Sequence, residues 1–314
     1  MDVLDFLKPF VGWQGPFAAA LICLPLERLV PLRRQPVFRQ GWKTDGAYIF
    51  INSVLFRFCF VLLAAILISV GGIHSISWSS AFLSQQPLWL EAAGAMIVGD
   101  FCLYWAHRAL HRNRLLWRFH SVHHAVEEMD WVAAYHSHFI DEMVLSGAAF
   151  GSVALLGFST GAIAIYGVAY SWVSFAVHTN TGLTIGPLRR LFSSPEFHHW
   201  HHSNETDARD RNFASIFSFW DFAFGTAFLP KGRRPKAYGT DSNIPAAYID
   251  QLVYPFRPNK PVPETGVRPT STGQSGLASG DTFLMPPHPS ADKSPRRARG
   301  IPRASSPWPR GFRR

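Results

Sequence analysis

The sequence predicts an all-α integral membrane protein. Four or five membrane helices carry a cytoplasmic helical cap, and a disordered C-terminal tail follows. Three observations predict it. The 314 residues are 47% hydrophobic and only 16% charged, against about 25% charged in an ordinary soluble domain. The apolar residues collect in segments, one of them long enough to cross a bilayer. Twelve of the fourteen histidines lie between His107 and His202, in motifs of helical spacing. The expected division is a membrane unit over 1–256, with its histidine-rich core at about 95–230, and a tail over 257–314.

The first apolar segment, Gly15 to Val30, is short for a span and ends in the polar cluster Glu27-Arg28, so a tilted or interfacial helix is expected. The second, Tyr48 to Ile73, holds one charge, Arg57. Its length argues against a buried helix of a soluble protein. The third runs from Leu88 to Ala106 and is interrupted by Glu91 and Asp100. The fourth and fifth, Met143 to Gly157 and Gly161 to Val177, are joined by the small-residue turn Phe158–Gly161 and read as a helical hairpin. The opening MDVLDFLKPF lacks a basic leader, so no cleaved signal peptide is expected.

Positive charge orients these segments. Arg33, Arg34, Arg39 and Lys43 follow the first, whereas the loop from His74 to Pro87 carries no Lys or Arg. Arg108, Arg112, Arg114 and Arg118 follow the third segment, and Arg189 and Arg190 follow the hairpin. Basic loops face the cytoplasm. One topology satisfies all of these loops, and it brings every clustered histidine to the cytoplasmic face. The net charge of +9 does not mark a nucleic-acid binder. Residues 1–256 hold 19 basic and 18 acidic residues, while the tail holds 11 and 3 together with 11 of the 23 prolines. Such a tail is expected to be disordered. The three cysteines, Cys23, Cys59 and Cys102, form neither a disulfide framework nor a CxxC metal pair.

The histidines fall into repeated patterns. HRALH gives His107 and His111 on one helical face, with Asp100 two turns earlier on the same stripe. HSVHH gives His120, His123 and His124, again on one face. A single straight helix from His107 to His124 would point the two sets in opposite directions. If they serve one centre, the chain must bend near Arg112-Asn113-Arg114. HHWHH contributes His198, His201 and His202, with His199 and Trp200 pointing elsewhere. His178 ends the fifth segment, and His136 and His138 form a further pair.

Eight histidines in HxxxH and HxxHH patterns are too many for one metal and suit two. Imidazole serves iron, copper, zinc and nickel. There is no HExxH, so a zinc protease lacks its general base, and the chain lacks the set of Glu-x-x-His pairs from four helices on which a carboxylate di-iron bundle is built. Asp100, Glu127, Glu128, Asp141, Glu196 and Asn204 are candidates for orienting the imidazoles. Neither GxGxxG nor CxxCH is present. A non-oxidative membrane zinc hydrolase and a metal carrier remain as alternatives. The carrier is disfavoured because its ionisable residues should be spaced through the membrane segments.

The run DFCLYWAHRALHRNRLLWRFHSVHHAVEEMDW, with Trp117 between the first two motifs, and the later SPEFHHWHHS resemble the fatty acid hydroxylase/sterol desaturase superfamily of membrane di-iron oxygenases. FGTAFLP, Pro235, Tyr238-Gly239, Glu27 and Pro31 extend the resemblance over roughly 15–256. It implies membrane helices below a cap that holds two Fe ions, with dioxygen as co-substrate. It also implies a lipid substrate, with Phe175, Phe192, Phe197, Phe217 and Trp220 as candidates for lining its channel, and an external electron-transfer protein with its reductase, with Arg112, Arg114, Arg118, Arg189 and Arg190 as its docking residues. Hydroxylation, desaturation and ether-lipid oxidation all remain open. Carried over by position, the metal ligands are His107, His111, His120, His123, His124, His178, His198, His201 and His202, all but His178 also counted as catalytic. His138, Asp100 and Asp141 are possible additional or supporting residues. Where the family often has an Arg-x-His-Pro-x-Glu-like element, this chain has His136-Ser137-His138-Phe139-Ile140-Asp141.

Overall fold

The first described element, α1 (Gly15–Leu29), contains Pro25 and buries Ala19, Cys23 and Glu27. The structure is a computed structural model that describes residues 15–55, 58 and 81–258, all within the unit Met1–Pro263. Most of the predicted second span, with Cys59 and His74, lies outside the described residues, as does the tail from 259. Glu27 at the end of α1 is a tie point. Its Oε1 accepts the backbone N–H of Trp131 at 2.8 Å and of Asn180 at 3.0 Å. The chain then pairs Pro31 with Thr181 in an isolated bridge. Next comes α2 (Trp42–Ala47), which runs on through a wider π-type turn, Tyr48–Asn52.

Two helices form the long axis. α3 (Leu88–Arg112) has 25 residues. Its partner follows the predicted hairpin, in which α5 (Phe139–Ser146) continues through a π-type turn to Leu155 before the chain reverses into α6 (Thr160–His178). α3 and α6 are each long and apolar enough to cross a membrane. Among the described residues only these two are, and α1, with 15 residues, is shorter. Ser159 caps α6 by accepting from Ala162 N–H. The same residue donates its N–H and hydroxyl to Glu91 of α3, at 2.5 and 2.6 Å. This answers the question of what a carboxylate does in an apolar segment: it binds the turn of the hairpin to the first turn of α3. Farther along, the helices approach closely at Gly99, where an added Cβ would sit 2.3 Å from Tyr166 Cε1. Small residues continue that seam, with Ala92, Ala95, Ala149 and Ala162 in one buried cluster with Leu103, Val153 and Tyr166.

The predicted bend falls at Asn113. Its backbone is extended (φ −96°, ψ 121°), and its side chain accepts from Leu115 and Leu116 N–H to cap α4 (Arg114–His123). The break turns the three histidines at the end of α4 back toward those at the end of α3. A short turn, Trp131–Tyr135, is capped by Asp130, and α7 (Pro195–His201) is capped by Ser194 with proline at its first position. α8 (Phe219–Ala223) and α9 (Tyr248–Val253) follow. The described residues are helical with no strand, and pairing is limited to two isolated bridges.

Candidate metal centre

Nine imidazoles from four elements converge in two groups. His107 and His111 of α3, His120 and His124 of the α4 segment and His201 of α7 form the first. His123 of α4, His178 of α6, and His198 and His202 of the α7 segment form the second. Within each group every ring offers a nitrogen, and these nitrogens all lie within 4.8 Å of one another. The facing Nε2 atoms of His107 and His120 are 3.0 Å apart, as are those of His124 and His201. In the second group His198 lies 3.0 Å from His178 and 3.1 Å from His202. The groups adjoin, with the His124 and His202 rings stacked at 4.5 Å between centroids.

The opposite ring nitrogens show which atom faces inward. Nδ1–H of His107 donates to Phe213 C=O at 2.7 Å, that of His201 to Arg211 C=O at 2.8 Å, and that of His123 to His136 C=O at 3.0 Å. His178 donates to Ser174 C=O one turn earlier, at 2.7 Å. Two rings of the five-histidine group donate to carboxylates: His120 to Asp141 at 3.0 Å and His111 to Asp210 at 3.3 Å. A ring that carries its proton on Nδ1 turns the Nε2 lone pair inward. Lone pairs clustered at such distances repel unless a cation lies among them. His111 Nε2 is buried with no protein partner. The donor set thus fits metal ions, and soft or borderline transition metals in particular.

Burial keeps the rings in the neutral, ligating form. It lowers His123 to about 3, with His120 acting in the same direction. His124, His198, His201 and His202 are also lowered, by burial first and by neighbouring imidazoles second. Burial alone would raise the Asp141 carboxyl, but the adjacent His120 outweighs it and brings Asp141 down to about 2.

All nine histidines named as ligands from the sequence are brought together here, and Asp141 joins them through His120. His138 is not among them. It caps α5 by accepting from Ile140 N–H, and its Nε2 bonds Leu252 C=O. Asp100 reaches no imidazole. Its carboxylate accepts the N–H groups of Ile216 and Phe217, at 2.8 and 2.9 Å. Glu196 pairs with Arg189, Glu128 accepts from Gln40 N–H, and His199 bonds the Tyr238 hydroxyl.

Sequence reasoning missed the loop Asp210–Phe213. Its Asp210 side chain and the carbonyls of Arg211 and Phe213 orient three rings of the five-histidine group. Asp210 and Asn212 adopt positive φ, 54° and 58°, which is uncommon for residues with a Cβ. Asn212 is fully buried, and its amide bonds Phe197 C=O, Phe228 C=O and Phe228 N–H. Asp221 accepts from the N–H groups of Phe213 and Ala214. Backbone carbonyls leave no trace in residue type; the run of polar residues Arg209–Asn212 just after the third motif was the only signal.

Two cavities reach the imidazoles. One, of about 340 Å³, touches His111, His124 and His201 and is rimmed by polar groups including Arg112, Arg114, Arg209, Asp210 and Asp241. The other, of about 60 Å³, touches rings of both groups and lies against α3, α5 and α6. None of the five aromatic residues expected to line a channel borders either cavity.

Residues 92–226, the stretch that holds all nine imidazoles and both orienting carboxylates, match the Fatty acid hydroxylase family. An ornithine lipid hydroxylase of Rhizobium tropici is 28% identical, over 58% of this chain and 55% of its own length. An alkylglycerol monooxygenase of Danio rerio is 28% identical, over 69% of this chain and 50% of its own. A methylsterol monooxygenase of Gallus gallus is 25% identical, over 45% and 49%. The chain thus spans about half the length of these relatives. No solved structure matches it. The likeness to the Fatty acid hydroxylase family, and to these lipid hydroxylases and monooxygenases, thus rests on the stretch of the chain that holds both histidine groups.

Proposed function

We propose that this protein is a membrane-bound di-iron oxidoreductase that uses dioxygen to hydroxylate or desaturate a C–H bond of a lipid. The observation that carries the reading is the pair of adjoining all-imidazole groups, in which Nδ1 donation turns the Nε2 of six of the nine rings inward. His107, His111, His120, His124 and His201 would hold one iron, and His123, His178, His198 and His202 the other. When bound, iron supplies the oxidising power that an unactivated C–H bond requires. The chain's own residues do the rest. Phe213, Arg211 and His136 carbonyls hold the rings in place, and Asp141 makes His120 a more basic donor. α3 and α6 anchor the cap to the bilayer as part of a multi-pass fold with the histidines on the cytoplasmic side. A lipid enters between α3, α5 and α6, where the smaller cavity meets both groups. Electrons arrive from an external carrier protein and its reductase, docked over the larger cavity, where Arg112 and Arg114 offer positive charge.

The test is metal analysis of the purified protein together with lipid profiling of cells with and without it. Two irons per chain and a lipid differing by one oxygen or two hydrogens are expected. One zinc and an unchanged lipid profile would instead indicate a hydrolase or a carrier. His123→Ala should lose iron and activity while keeping its helical content; wild-type turnover in that variant would remove His123 from the ligand set.

A further inference from the structure

The small cavity is the place where a substrate meets both histidine groups. Its wall includes His107 and His120 of one group and His123, His178 and His198 of the other. At about 60 Å³ it has room for roughly four to six water-sized groups, at about 10–15 Å³ each. Only a short piece of a lipid fits there, so whatever recognises that piece also lies within a few bonds of the carbon that reacts.

A hydrocarbon chain needs only an apolar wall, and Leu103, Leu145 and Val177 provide one. Two further lining residues do not suit a hydrocarbon. Glu142, on α5, accepts one hydrogen bond from Ser146, to Oε1 at 3.0 Å. No cation pairs with it among the described residues, and it orients no imidazole; its neighbour Asp141 already serves His120. Tyr170, on α6, borders the same space, and its hydroxyl has no partner among the described residues. A carboxyl group and a phenol beside an apolar wall are costly unless something bonds them. The described residues supply little, which points to a ligand.

We infer that Glu142 and Tyr170 bind a hydrogen-bond donor of the lipid, a hydroxyl or an amine, next to the carbon that is oxidised. The inference rests on the oxygenase reading and narrows it. The substrate class is a lipid oxidised within a few bonds of a hydroxyl or amino group, and the middle of a plain alkyl chain is not a site of attack. The carboxylate accepts from either donor and adds charge attraction for an ammonium, while the phenol can donate to or accept from a hydroxyl.

The experiment uses the iron-loaded protein in detergent micelles, in air-saturated buffer with a chemical electron donor in place of the carrier protein, and three probes: an ornithine lipid, a 1-O-alkylglycerol and hexadecane. Fragment-ion masses should place the new oxygen beside the amine or hydroxyl of the first two, with hexadecane untouched. Glu142→Gln should keep its iron and lose about ten- to a hundredfold in kcat/KM on the ornithine lipid. The loss on the alkylglycerol should be smaller, because an amide still accepts from a hydroxyl. Binding of both lipids to the metal-free protein, followed by tryptophan fluorescence, should weaken in the same order. Tyr170→Phe removes one oxygen atom and covers the case in which Glu142 variants fail to fold; it should weaken binding of the alkylglycerol. Wild-type kinetics and binding in both variants, or oxygen placed mid-chain, would overturn the inference. A wild-type protein that holds iron and oxidises no probe would overturn the oxygenase reading, and the metal-free binding measurements would still judge Glu142 and Tyr170.

Discussion

His120 is the ring with the strongest partner. It donates to a fully buried carboxylate, Asp141, which a second donor, the Ser137 hydroxyl, holds at 2.7 Å. An anionic acceptor makes an imidazole a better donor to metal than a carbonyl does. Asp141→Asn keeps the shape and removes the charge. Competition with a chelator should show metal bound about 10–100-fold more weakly, and an unchanged affinity would mean that the carboxylate only spaces the ring. At this scale the clustering of the nine imidazoles was legible because i, i+3 and i+4 spacing fixes a helical face, whatever the tertiary fold. His138 shows the limit of that logic. A histidine between His-rich motifs looks like a ligand in sequence, yet its ring nitrogens serve a helix cap and a distant carbonyl. Asp100 shows it too, since its stripe leads toward His107 while its carboxylate turns to the 216–217 backbone.

Among the elements, the loop Asp210–Phe213 does the most with the fewest residues. It supplies acceptors to His111, His201 and His107, and Asn212 and Asp221 hold it from either side. Asn212→Ala deletes three side-chain hydrogen bonds and takes a partner from the buried Phe197 C=O and from the part-buried C=O and N–H of Phe228, at about 1–3 kcal/mol for each group left unsatisfied. All three dependent rings belong to the five-histidine group. The variant should therefore lose one metal and keep the other, so elemental analysis should fall from about two ions per chain to about one. Equal loss from both groups would show that the loop only stabilises the cap. The bend at Asn113 was legible because two motifs on one straight helix would have faced apart. The loop was not, because carbonyl acceptors depend on backbone path and any residue type can supply them.

Across the whole molecule, buried neutral histidines set an acid limit. His123 and His199 stay unprotonated down to about 3, each through burial first, whereas an unfolded histidine titrates near 6.5. Between those values the unfolded chain binds more protons, so stability is complete above about pH 6.5 and falls as the pH drops toward 3. Thermal melts of the metal-free protein should show Tm constant from pH 8 to 7 and declining below 6.5; a flat profile down to pH 5 would contradict the burial. The two long helices and the hairpin were legible from apolar length. The clasp between Glu91 and Ser159 was not, because a lone acid in such a segment has no partner until the turn folds onto it. The position of Phe213 also bears on metal retention. The last of the nine rings is His202, but an acceptor that orients the first of them comes eleven residues later. A polypeptide cut after Ser203 holds every ring without the means to aim them all. Tight metal binding thus depends on residues beyond the last ring, and the shortened chain should surrender its ion to a chelator that the full chain resists.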